Sequence, residues 1–228
     1  MRHPLFVGKP NKTAVLAALA LTGLAALLLG SSRTDDAVAA PGGGLNLTAA
    51  ETEASSFAPR FGNRVLREGM TGPDVKVLKG IVRSKALLSG TPLSESFDRP
   101  TTTAVKSFQR GARMRRSGVV NKATSKKLVR SLRTTGASWY GPGFWGNKTA
   151  CGNTLRRNTM GVAHKTLPCG SKVLIGYKGR YMITKVIDRG PYIKGRAWDL
   201  TLALSDALKF TPTGVGKVRH AVISRARR

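Results

Sequence analysis

Acidic side chains are scarce in this chain. Asp and Glu together number 11 against 39 Lys and Arg, for a formal net charge of +28 over 228 residues. Such a surface binds polyanions: nucleic acid, anionic lipid, or the phosphates and carboxylates of a bacterial wall. Cysteine is nearly absent, with Cys151 and Cys169 the only two. None follows the apolar N-terminal run, which excludes a lipid-modified N-terminal cysteine. Histidine is as sparse. His3, His164 and His220 stand in no ligand spacing with the cysteines, so neither a metal nor another cofactor is expected.

The charge does not choose among polyanions, but the location of the chain does. Arg2, His3, Lys9 and Lys12 form a basic start. Residues 14–30 are an uninterrupted run of apolar and small residues, and Ala37-Val38-Ala39 then offers a small-x-small cleavage site. Residues 1–40 therefore read as a signal peptide. The alternative is an N-terminal anchor, because the run approaches spanning length. Either way the remainder is expected in the bacterial cell envelope or outside the cell. Chromosomal DNA is then disfavoured as a partner, and membrane is met only through residues 13–30 if these are retained. In that compartment Cys151 and Cys169 form either a disulfide or two free buried thiols. A bridge closing that loop would stabilise by roughly 3 kcal/mol.

Beyond the leader the chain changes character three times. Residues 41–60 carry Pro41, successive glycines and then Thr, Ala, Ser and Glu, which read as a linker. Residues 61–133 are helical in pattern. Gly72-Pro73-Asp74 is a start signal, and Val75, Leu78 and Val82 share one helical face. A second helix is expected from about Thr102, with Ala104, Val105 and Phe108 inward. A third is expected near Thr124, with Leu128 and Leu132 four apart. Residues 137–224 hold strand-like runs at 172–177, 180–187 and 215–223, rich in Val, Ile and Tyr and separated by glycines. One short helix is expected over 201–208. The fold class is thus α+β and multidomain: a small three-helix domain followed by a small β-barrel.

Two strings carry the chemistry. Ala137-Ser138-Trp139-Tyr140-Gly141 sets two aromatics beside a glycine, and Asp188-Arg189-Gly190-Pro191 puts a carboxylate at the end of a β-patterned run. Together they read as a sugar-stacking platform and a positioned acid. Each residue also has a plainer role. Asp188 would cap its turn, Asp199 would cap the short helix, His164 would be a core histidine, and Trp139 and Tyr140 would be core.

Residues 61–133 resemble the peptidoglycan-binding domain type 1 family through Leu66, Gly69, Gly72, Asp74, Val75 and Leu78, then Phe97-Asp98, Thr102, Ala104-Val105, Phe108-Gln109, Gly118-Val119-Val120 and Thr124. The segment 81–98 departs from that family's wording. The resemblance implies binding to peptidoglycan, with the crowded Arg110, Arg113, Arg115 and Arg116 either a solvated face or an attraction to anionic wall polymer.

Residues 137–224 resemble the rare lipoprotein A (RlpA) family through Ala137-Ser138-Trp139-Tyr140-Gly141, Thr149-Ala150-x-Gly152, Ala163-His164-Lys165-Thr166-Leu167-Pro168, Asp188-Arg189-Gly190-Pro191 and Asp199-Leu200-Thr201. That resemblance implies an all-β, six-stranded double-psi β-barrel. It also implies lytic transglycosylase activity on glycan strands stripped of peptide. The implied catalytic residues are Asp188, Asp199 and His164. Trp139, Tyr140, Asn153 and Tyr192 are the implied substrate contacts, with Phe144 and Trp145 extending the aromatic wall. Where the family's T-A-x-G-E string has an acid, this chain has Asn153. A two-acid hydrolase would suffer from that loss. A transglycosylase suffers less, because the sugar's own 6-hydroxyl is the nucleophile and one carboxyl group can both give and take the proton. A non-catalytic, expansin-like wall-loosening module is the rival reading. The partners expected are peptidoglycan glycan strands and anionic cell-wall polymers.

Overall fold

A computed structural model describes residues 57–227. The expected leader, 1–40, and most of the linker lie outside the described residues. Three helices come first: α1 Pro73–Arg83, α2 Arg99–Gly111 and α3 Lys122–Arg130. The barrel follows, with β1 Arg133–Tyr140, β2 Val162–Ala163, β3 Lys172–Tyr177, β4 Arg180–Asp188, β5 Arg196–Thr201 and β6 Gly216–Ser224. A short helix, α4 Leu202–Ala207, follows β5 directly.

The helices start where their caps sit. The Asp98 carboxylate accepts from the Thr101 N–H, and Pro100 stands in the first turn, so α2 opens at Arg99 rather than near Thr102. Asn121 likewise accepts from the Thr124 N–H at 2.9 Å, so α3 opens two residues ahead of the expected Thr124. Leu132, expected on the α3 face, lies just past its end yet stays buried in the same core. Gln109 ties α2 to the following turn: its amide oxygen accepts from the Gly118 N–H and its amide N–H donates to the Val119 carbonyl, both at 2.9 Å.

The six strands close in the order β1-β5-β2-β4-β3-β6. Two pairs, β1·β5 and β2·β4, are parallel, and the others are antiparallel. Val162, Val173, Ile175, Val186, Trp198, Leu200 and Val218 fill the interior together with Leu204, Leu208 and Phe210 from the α4 side. β1, β2 and β5 escape a reading by hydrophobic pattern. β2 has only two residues, and the bulge at Gly136 and Ala137 interrupts alternation in β1. A Cβ at Gly136 would meet the Gly195 carbonyl oxygen at 2.1 Å, so that bulge needs glycine.

Leu174, Tyr181 and Ile223 on the outer barrel face belong to the same apolar cluster as Val75, Leu78, Ile81 and Phe108 of the helices. α1 lies so close that a Cβ on Gly80 would stand 2.8 Å from Ile183 Cδ1. β3 is consequently buried on both faces, which explains its continuous apolar run. Residues 57–60, expected to be linker, also lie against the barrel. Ala58 is fully buried, with its N–H donating to Ala207, and the Pro59 carbonyl accepts from the Tyr181 N–H.

Candidate active site

Pairing register builds the site. Ala163 of β2 stands opposite Asp188 of β4 on one side and opposite Asp199 of β5 on the other. The two aspartates therefore flank a residue with only a methyl side chain, and a cavity of ≈ 370 Å³ opens above all three. One wall comes from Tyr140, Phe144, Lys148, Thr149 and Leu155, and the other from Arg189 through Ile193.

The two carboxylates are held differently. Asp188 Oδ1 accepts from the backbone N–H groups of Ala150 and Arg189, both at 2.8 Å. Those donors fix its orientation at the cavity wall. Asp199 Oδ1 accepts instead from a side chain, the Ser138 hydroxyl, at 2.7 Å. Burial pushes the Asp199 carboxyl above its usual range. The Ser138 hydrogen bond and Arg196 oppose that shift, while the charge of Asp188 adds to it. Asp199 does not cap the short helix. It belongs to β5, α4 begins after Thr201, and the Thr201 hydroxyl is engaged with the Gly161 backbone instead.

Tyr140 and Trp139 part company because neighbours on a strand face opposite ways. Tyr140 lines the cavity, and its ring meets Phe144 edge-on at 6.4 Å. Burial, and then the charges of Asp188 and Asp199, push its phenol well above the usual range. Trp139 turns out of the groove: its indole N–H donates to the Thr211 carbonyl at 3.1 Å and its ring packs on the barrel core. Trp145 likewise covers Gly141 rather than lining the cavity. The exposed apolar surface at the rim comes from Phe144, Tyr192 and Ile193, with Tyr192 78% exposed.

His164 and Asn153 sit beside the cavity, not in it. His164 Nδ1 accepts from the Thr166 and Leu167 N–H groups, and its ring lies 4.5 Å from that of Trp198. Burial, then Arg189 and Arg225, lower its pKa, so the ring is neutral at pH 7. Its Nδ1 is occupied as an acceptor, and its backbone N–H donates to the Asp188 carbonyl at 3.2 Å. Asn153 is exposed, and its carbonyl closes the loop by accepting from the Thr149 N–H at 2.8 Å. The sequence reasoning missed Ser138, Thr149 and Arg189 as contributors, although all three stand inside the quoted strings. Among the described residues the Thr149 hydroxyl is buried without a protein partner, which leaves a hydrogen-bonding group for a ligand, and the Tyr140 phenol lies against the Asp188 carboxylate.

Cys151 and Cys169 are bridged, with Cα atoms 5.6 Å apart. The bond ties the loop bearing Ala150, a donor to Asp188, to the segment after His164. Reduction is expected to cost about 3 kcal/mol for a loop of this size. Equilibrium unfolding in urea, with and without reductant, measures it. An unchanged midpoint would mean that the bond adds no stability.

Comparison with known proteins follows this division of the chain. Residues 133–220 match the family model described as "Lytic transglycolase", and residues 71–128 match that described as "Putative peptidoglycan binding domain". The chain is 36% identical over 106 residues to "Probable endolytic peptidoglycan transglycosylase RlpA" of Synechocystis, covering 46% of this chain and 33% of that protein. It is 40% identical over 89 residues to "Endolytic peptidoglycan transglycosylase RlpA" of Campylobacter jejuni, covering 38% and 32%. The chain thus spans about a third of the length of these relatives. A solved structure, the expansin of Clavibacter michiganensis, aligns over 42% of this chain and 53% of its own at 19% identity, with a TM-score of 0.34.

Proposed function

We propose, from an RlpA-like double-psi β-barrel joined to a peptidoglycan-binding-type helical unit, that this protein binds peptidoglycan in the cell envelope and cleaves its glycan strands as a lytic transglycosylase. The observation that carries the reading is the pair Asp188 and Asp199 on either side of Ala163, under a cavity rimmed by Phe144 and Tyr192.

Asp199 is the proton carrier. Burial favours its neutral form, and that form can protonate the leaving glycosidic oxygen as the C1–O bond breaks. Asp188, fixed by two N–H donors, places a negative charge beside the oxocarbenium-like centre. The sugar's 6-hydroxyl oxygen then bonds to C1, and its proton returns to the Asp199 carboxylate. No water is consumed, and the cleaved end is a 1,6-anhydro sugar. Proximity is supplied within the substrate. Tyr140, Thr149 and the rim aromatics orient the sugar rings, with Tyr192 as the exposed stacking face.

Asn153 is not among the residues that line the cavity, and an intramolecular transglycosylation needs one proton-carrying carboxyl group rather than two. The test is digestion of purified, peptide-stripped glycan strands followed by mass spectrometry. Anhydro-ended fragments are expected. Their absence, with sedimentation on insoluble peptidoglycan intact, would replace this reading with a non-catalytic wall-binding module.

A further inference from the structure

A second large cavity, of ≈ 590 Å³, lies at the seam between α3 and the β3–β4 hairpin. It is remote from the aspartates. β1 meets this cavity at Thr134, its second residue, and reaches the groove at Tyr140, a run of about 20 Å at the usual strand rise. Five cationic side chains line the cavity: Lys122 and Lys126 from α3, Lys178 from the hairpin turn, and Lys217 and Arg219 from β6. No carboxylate stands among its lining residues. Arg219 is fixed there, with one guanidinium nitrogen donating to the Val129 carbonyl at 3.0 Å. The five charges come from three separate elements. Their mutual repulsion in one concavity is a cost that a bound polyanion would relieve.

The aromatic residues at the cleft narrow the ligand. Phe61 and Tyr181 are buried, 6% and 2% exposed. The Tyr177 ring packs edge-on against Phe210 at 5.0 Å, and the Lys178 ammonium sits 5.2 Å from its centroid. Phe61 and Tyr181 offer no open face for a nucleobase, and Lys178 sits over the half-buried Tyr177 ring, whereas single-stranded nucleic acids are held largely by stacking on several such faces. A cleft rich in charge and poor in stacking surface suits a polymer whose recognisable feature is its backbone.

We propose that this cleft docks a linear phosphodiester polymer without bases, of the kind carried by cell walls, and so holds the protein to the wall independently of the glycan groove. The wall setting rests on the function proposed above; the charge and shape of the cleft do not.

The intact protein is titrated with synthetic poly(glycerol phosphate) of fixed length over a range of NaCl concentrations. Five phosphate contacts predict that log affinity falls against log salt with a slope of about −3.5. Lys126→Gln/Lys178→Gln should bind roughly tenfold more weakly at low salt and lose about 1.4 from that slope. Lys122→Gln/Lys217→Gln should do the same and stands in if the first pair misfolds. Lys172→Gln/Lys185→Gln, an exposed cross-strand pair on β3 and β4 that lines neither cavity, removes equal charge and should leave affinity within about twofold. Equal losses from all three pairs, absence of binding, or equal competition by an oligodeoxynucleotide of the same charge would each overturn the proposal. Anhydro-end release is followed in the same variants and should not change. A chain that cleaves glycan yet ignores the polymer refutes this inference alone.

Discussion

Asp199→Asn is expected to lower the rate of 1,6-anhydro-end formation by about 100-fold or more, as for loss of a general acid. The asparagine is nearly the same shape and can still accept from the Ser138 hydroxyl, so the barrel should fold unchanged. Only the transferable proton is lost. A stability measurement separates this from trivial damage. The folded-state pKa of Asp199 is raised, so the native state holds its proton more tightly than the unfolded chain does. Stability therefore declines as pH rises from the ordinary Asp range through the raised value. Replacing the carboxyl removes that decline and should raise the melting temperature at pH 7 while activity collapses. The pH–rate profile follows the same logic: activity of the unmutated protein should fall on the alkaline side as Asp199 ionises. Asp188→Asn, made in parallel, should also impair cleavage without raising the melting temperature, since its carboxylate is satisfied by two N–H donors. Full activity in Asp199→Asn with loss only in Asp188→Asn would exchange the two roles.

The assignment of the acid shows where residue patterns stop being informative. Asp188 ends β4, Arg180–Asp188, and the run of Tyr, Ile and Val that marks this strand is local in sequence. Asp199 precedes a helix by so little that strand and cap looked alike. Two long-range contacts decide between them: the parallel pairing of Ser138 with Asp199 and the engagement of Thr201 with Gly161. Neither leaves a local trace. The same holds for Trp139 and Tyr140. The string names both aromatics, but only the register of β1 against β5 and β6 says which one meets the groove. The α1 stripe of Val75, Leu78 and Val82 was readable because its period is local. That part of this stripe's cluster covers the outer barrel face was not, since β3 is apolar in continuous sequence whether its second face meets helices or another sheet.

That shared cluster gives the second large expected effect, Asp98→Asn. Lys79 is wholly buried, and its ammonium donates to Asp98 Oδ2 at 2.8 Å and to the Ser94 hydroxyl at 2.9 Å. Burial would raise the Asp98 pKa, but the hydrogen bonds from Lys79 and Thr101 outweigh it and hold the carboxyl below its ordinary range. Its stabilising contribution is present above the unfolded-state pKa and is lost as pH falls through the depressed folded value. Asparagine keeps the α2 cap at Thr101, because Asn caps as well as Asp does. It leaves the Lys79 charge buried without a counter-charge, which costs about 3–5 kcal/mol in enclosed settings. With the Asp98 side chain 33% exposed, water eases this toward the lower end, about 3 kcal/mol. The loss should not stay within the helices. Lys79 adjoins Gly80, the point at which α1 touches Ile183 and Ile223 of the barrel. Unfolding the helices would bare Leu174, Tyr181 and Ile223, which lie in their core. A single urea transition is therefore expected, with peptidoglycan sedimentation and anhydro-end formation lost at the same lowered midpoint. Lys79→Met added to Asp98→Asn should recover most of the loss by removing the stranded charge. A helical transition well separated from that of the barrel would show that the shared core does not couple them, and a midpoint unmoved by Asp98→Asn would show that Lys79 does not depend on its partner.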